Sequence, residues 1–179
     1  MSVNDLENTL KICDQALNVL EPRKNANRDS LVIITMQKVA CYTQMRVNDN
    51  TTARNLLHYC LNIVEEGRFN WFRVYEVYFY NCIYSSNYVE ALEVYKTVIK
   101  SPNFYLLEGT YHDNWLLLGG YLHLLAQLGA IDPTKVEEIV GPFRYGKLYN
   151  EIEVLKKDKE GMNIPLLFLP VLFQLSQKP

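Results

Sequence analysis

Proline and glycine are scarce in this chain, with 7 and 8 in 179 residues. Strand-and-turn architectures need frequent turn residues, so the scarcity favours long helices joined by short turns. Charge of one sign is also missing. The formal net charge is −2, which gives no general attraction to a phosphate backbone, and nucleic acid is not an expected partner. The four cysteines, Cys13, Cys41, Cys60 and Cys82, include no close pair of the kind that zinc sites bring together. Each lies inside an apolar helical pattern and reads as a buried, reduced thiol. No basic segment followed by an apolar one opens the sequence, so no secretory signal is expected, and the cytoplasm is the expected location. The most apolar stretch, from Met162 to Leu175, is shorter than the roughly 20 residues of a membrane span and contains Pro165 and Pro170. No membrane partner is expected.

What is present is ordinary globular material, 49% hydrophobic and 21% charged, in a length that fits one domain or a short repeat array over residues 1–179. Apolar residues recur at helical spacing and are interrupted by short polar breaks. The first segment, residues 4–20, carries Leu6, Leu10, Cys13, Leu17 and Leu20. The second, with Ser30 or Asp29 as its cap, carries Val32, Met36, Val39, Ala40 and Tyr42. Thr51 or Thr52 opens a third with Ala53, Leu56, Leu57, Cys60 and Val64, closed by Gly67. Asn70 opens a fourth with Phe72, Tyr75, Phe79, Cys82 and Ile83. Ser85-Ser86-Asn87 separates it from a fifth with Tyr88, Ala91, Leu92, Tyr95, Val98 and Ile99. A sixth, residues 110–128, contains Trp115, Leu118, Gly119, Leu122 and Leu125. Asp132-Pro133 has the cap-then-proline form of a seventh start, and residues 163–176 form an apolar C-terminal helix. Starts near Ser30, Asn70 and Thr110 are about 40 residues apart, which is the spacing of stacked helix pairs.

The run Asn87-Tyr88-Val89-Glu90-Ala91-Leu92-Glu93-Val94-Tyr95, ending at Pro102, resembles the second helix of a tetratricopeptide repeat. Ala91 stands at the small position, Tyr95 at the large aromatic one and Tyr75 at the first-helix tryptophan position. Phe79 and Cys82 depart from the pattern, where glycine and an aromatic are usual. The best unit is 72–102. Ala53 and Leu57 match more weakly in the unit before, and Gly119 matches in the unit after. The segment Lys157-Asp158-Lys159-Glu160-Gly161-Met162-Asn163-Ile164-Pro165 resembles one in uncharacterised bacterial helical-repeat proteins. The fold this implies is all-α, a right-handed α-α superhelix of stacked hairpins. The implied function is a non-catalytic module that binds a peptide or protein partner.

In that register the groove-facing positions are Lys38, Tyr42 and Arg46, then Arg73, Glu76, Tyr80 and Tyr84, then Asp113 and His123. Rings would supply rigid contact area, and Lys38, Arg46 and Arg73 would hold acidic groups or a terminal carboxylate. The alternative is a regulatory or sensor domain that binds a small ligand in a tyrosine-rich pocket, since Tyr75, Tyr78, Tyr80, Tyr84 and Tyr88 are concentrated there. An enzyme ranks third. Gly141-Pro142-Phe143-Arg144-Tyr145-Gly146-Lys147 matches the start of a phosphate-binding loop, but Leu148 replaces the hydroxyl that would hold magnesium, so a turn between helices is the preferred reading. His112 and His123 would stand about 16 Å apart on one helix, too far for one metal. Neither cofactor nor metal is expected. The C-terminal helix is apolar nearly all round, where an end of a helical stack needs a polar outer face. Wrapping by the preceding segment, a missing next element, or docking of a partner, a second copy included, would each account for that, and the first two together are the preferred reading.

Overall fold

A computed structural model of the chain describes residues 3–23, 27–45, 51–152, 157 and 164–176. Among the described residues the regular structure is helical and no strand occurs. The helices are α1 (Val3–Leu20), α2 (Arg28–Gln44), α3 (Thr51–Ile63), α4 (Phe69–Tyr84), α5 (Tyr88–Ile99), α6 (Thr110–Gln127), α7 (Pro133–Val140), α8 (Tyr145–Glu151) and α9 (Ile164–Ser176). The chain divides into two compact units, Met1–Asn87 and Tyr88–Pro179. That division falls inside the 72–102 segment, at the break expected from Ser85-Ser86-Asn87.

In the first unit α2 packs against α1, α3 and α4. Leu31, Val32, Thr35, Val39 and Cys41 of α2 are buried, and so are Ala53, Leu57 and Cys60 of α3. Burial raises the Cys60 thiol to about 12, and all four cysteines are buried and free. Two side-chain bonds fix how α2 and α4 lie. The Asn70 amide donates to the Asp29 carboxylate at 2.7 Å, near the starts of both helices. The Asn81 amide donates to the Thr43 hydroxyl at 2.8 Å, near both ends. Start meets start and end meets end, so the two helices run parallel, offset by 41 and 38 residues at the two contacts. The spacing of about 40 residues in the sequence is therefore the spacing between neighbouring parallel helices.

Asp29 does not cap α2. Asn27 occupies the cap position without a side-chain bond, and Asp29 sits in the first turn, reaching across to α4. α4 ends in a Schellman motif, with Asn87 N–H donating to Cys82 C=O and Ser86 N–H to Ile83 C=O. Ser86 is left-handed at φ 58°. The backbone conformation that glycine adopts freely is here imposed on a residue with a Cβ.

The second unit is built round α6, which packs against α5, α7, α8 and α9. Its buried residues, among them Trp115, Leu117, Leu118, Leu122 and Leu124, lie on every side of the helix, as expected of a helix enclosed by neighbours. Two adjacent glycines permit the approach. A Cβ on Gly119 would stand 2.5 Å from the Tyr95 hydroxyl of α5 and 3.1 Å from Val140 of α7. One on Gly120 would stand 2.7 Å from Leu169 of α9 and 2.9 Å from Leu148 of α8. Gly119 thus lets α6 come close to the Tyr95 ring of α5, which is buried.

α7 begins as Asp132-Pro133 predicts, the Asp132 carboxylate accepting from Thr134 N–H at 2.9 Å. α8 is absent from the sequence reading, because seven residues with Gly146 in the first turn show no helical period. Within α9, Leu166 and Leu169 are fully buried against Leu117, Leu124, Leu148 and Ile152. The Tyr121 hydroxyl donates to Pro165 C=O at 2.8 Å, and the Gln127 amide donates to the Ser176 hydroxyl at 2.6 Å.

Candidate functional site

The parallel placement of α2 and α4 brings one face of each helix to the same side of the first unit. On α4, residues 69, 73, 76, 80 and 84 step by four, three, four and four, which is a single stripe along a helix. Phe69, Tyr80 and Tyr84 on this stripe are 49%, 37% and 58% exposed, although large rings ordinarily lie inside. The two contacts set offsets of 41 residues near the starts and 38 near the ends, so Tyr80 corresponds on α2 to Tyr42, which is partly buried. The stripe is thus a row of exposed rings on a helix that runs parallel to α2.

Its charges are already matched. Arg73 forms an ion pair with Glu76 one turn on. Burial pushes the Glu76 carboxyl above the ordinary carboxylate range, and the Arg73 guanidinium opposes that shift. The pair leaves the middle of the stripe close to electrically neutral. Such a surface suits uncharged, apolar or aromatic side chains, with the ion pair as a polar waymark between ring-lined ends.

Of the other residues expected on the groove, Lys38 forms an ion pair with Asp14 on α1, and its ammonium stands 5.9 Å from the Tyr42 ring. Arg46 lies outside the described residues. Asp113, in the second unit, is 4% exposed and sits inside that unit's core layer. His123 is half-buried and tilted against Phe143, with ring centroids 5.2 Å apart. Burial lowers its basicity, opposed by a hydrogen bond to the Gly141 backbone and by the Glu137 carboxylate.

Sequence reasoning misses Phe69, for which the available signal is its place one turn before Arg73 on the same stripe. Of the other tyrosines, Tyr78 and Tyr95 are buried and Tyr105, Tyr111 and Tyr149 are exposed. Tyr75 stacks on Tyr78 at 6.4 Å, and Tyr78 meets His58 edge-on at 5.7 Å.

The glycine-lysine segment is structural. Gly141 ends α7 at φ 87°, Phe143 packs against the α6–α9 core, and Gly146 and Lys147 lie inside α8, where Lys147 meets Glu151 at 3.7 Å. Among the described residues no group of three His, Cys, Asp or Glu side chains could hold a metal ion, and no helix is long and apolar enough to cross a membrane. Comparison with protein families, curated proteins and solved structures finds no match.

Proposed function

We propose that this chain is a non-catalytic interaction module that takes an extended segment of a partner protein along the α2–α4 face. The observation that carries the reading is the row of exposed rings Phe69, Tyr80 and Tyr84 along α4, which runs parallel to α2. Parallel neighbours at a pitch of about 40 residues are the arrangement from which helical-repeat grooves are made, which supports a tetratricopeptide-like superhelix. Aromatic anchors give binding area at low cost in side-chain entropy. With Arg73 and Lys38 held by Glu76 and Asp14, the partner is recognised by apolar side chains more than by acidic ones. Self-association through the C-terminal helix belongs to the same proposal, and a cytoplasmic setting suits the reduced cysteines.

The test is affinity capture from the source cell by the wild-type chain and by a Phe69→Ala, Tyr80→Ala, Tyr84→Ala variant, with identification of what each retains. Proteins retained by the wild type and lost by the variant are the expected result. Identical protein sets, or a small molecule copurifying with both and no protein, would sink the reading.

A further inference from the structure

The second unit holds a cavity of about 310 Å³, lined by His123 and Gln127 of α6, Glu137 of α7, Phe143 after α7 and Phe173 of α9. One wall is a set of rings. Phe143 and Phe173 stack with centroids 4.6 Å apart and planes 10° from parallel, and the His123 ring lies against Phe143. The polar side-chain atoms share a different property, which is that they accept protons and do not offer them. The Gln127 amide nitrogen already donates to Phe173 C=O at 3.2 Å and to the Ser176 hydroxyl, which leaves its carbonyl oxygen to accept. His123 donates one ring N–H to the Gly141 backbone, and burial keeps the ring neutral at pH 7, so its other nitrogen carries a lone pair. Glu137 brings a carboxylate. No lysine or arginine lines the cavity, and among the described residues no cation pairs with Glu137.

We propose that this cavity binds a small organic monocation, a primary amine on an apolar body, with its ammonium among these acceptors and its body on the ring wall. The site lies in the second unit and does not depend on the α4 stripe. Acceptors alone require a ligand that brings the protons, and an anion would find no donor here. One carboxylate calls for one positive charge. Aromatic rings suit both halves of such a molecule, through their area for the body and their negative faces for the ammonium. The volume is at the lower end of ligand pockets and admits about ten non-hydrogen atoms, at roughly 30 Å³ each. A lysine side chain from a partner protein would fill about half of that. A free amine of the right size fills it all.

Titration of the isotope-labelled full chain with phenethylamine near neutral pH, followed by NMR amide shifts, tests this. A dissociation constant on the order of 0.3 mM is expected for a ligand of this size, with the shifts centred on the cavity residues. Phenylethanol has the same shape without the charge and should bind about tenfold more weakly, and phenylacetate should not bind. Glu137 is exposed, so Glu137→Gln keeps the fold. It should weaken phenethylamine about tenfold and leave phenylethanol unchanged, a split that general damage to the cavity does not produce. Phenylethanol or phenylacetate binding as tightly as the amine, or an amine indifferent to Glu137→Gln, overturns the cation assignment. Shifts confined to α1–α4 overturn the site. Nα-acetyl-lysine methylamide binding more tightly than phenethylamine overturns the small-molecule reading and gives the cavity to a partner's lysine.

Discussion

The two units hold their helices in place by different means. In the first, polar side chains tie neighbouring segments together: Asp14 to Lys38, Glu21 to Tyr59, Asp29 to Asn70, Thr43 to Asn81 and His58 to Tyr78. In the second, Tyr121 and Gln127 anchor α9 on α6, and α5, α7, α8 and α9 are also fitted against two bare backbone positions. Hydrogen bonds set the lengthwise register of parallel helices, because a slip by one residue breaks them. Close contact at glycine sets separation and rotation, because no other position lets the helices come as near. The first unit can therefore leave an open face along α2 and α4, whereas the second must enclose its central helix.

The contrast can be broken most forcefully at the centre of α6. Trp115→Ala empties the largest fully buried side chain of the second unit and is expected to cost about 4 kcal/mol. Native-state hydrogen exchange should show the loss in α5–α9 and far less in α1–α4. Gly119→Val drives a branched side chain into Tyr95 and Val140, at a cost of about 3 kcal/mol in denaturant unfolding. If valine were tolerated with no loss, steric fit would not be what holds α6. In the first unit, Asn81→Leu removes the tie to Thr43 from a buried site and should cost about 1.5 kcal/mol by urea unfolding.

A smaller effect compares the two Schellman endings. α6 closes with Gly129 at φ 73° and α4 with Ser86 at φ 58°. Ser86→Gly relieves a left-handed strain and should stabilise by about 0.5 kcal/mol, while Gly129→Ser should cost about 1 kcal/mol. Thermal unfolding of both variants gives the two signs.

The smallest effect is in pH, where the units are expected to move in opposite directions. His123 has its folded basicity lowered by burial, so the unfolded chain takes up the proton first. Its contribution is lost as pH falls below the ordinary histidine value of 6.5. Glu76 has its folded carboxyl raised by burial, so the folded chain holds the proton longer. Its contribution grows as pH falls through that raised value towards the ordinary 4.5 and declines as pH rises again. Unfolding free energy against pH for His123→Gln and Glu76→Gln separates the two, each variant flattening its own window.

Much of the helical order was legible in the residues. Periodicity located α1 to α7 and α9 to within about three residues, because those segments carry apolar stripes long enough to count, and Asp132-Pro133 marked its start through chemistry that is purely local. The groove positions were less legible. That Lys38 is held by Asp14 of α1 could not be read locally, because Asp14 lies 24 residues away. Asp29 reads as a cap because its local sequence resembles one, but the Asn70 amide, 41 residues on, draws it across to the neighbouring helix. Gly119 announced a small position, but nothing local revealed that Gly120 serves a second neighbour on the opposite side.

The placing of α9 also has a consequence for the order in which the protein comes into being. Its anchors on α6 close loops of 44 residues, Tyr121 to Pro165, and 49 residues, Gln127 to Ser176. Contacts so distant along the chain form after the nearer ones between α5, α6 and α7. During synthesis the face of α6 that will receive Leu166 and Leu169 therefore waits uncovered until α9 has left the ribosome. In that interval Gly120, shielded by no side chain of its own, marks the vacant place that Leu169 will fill.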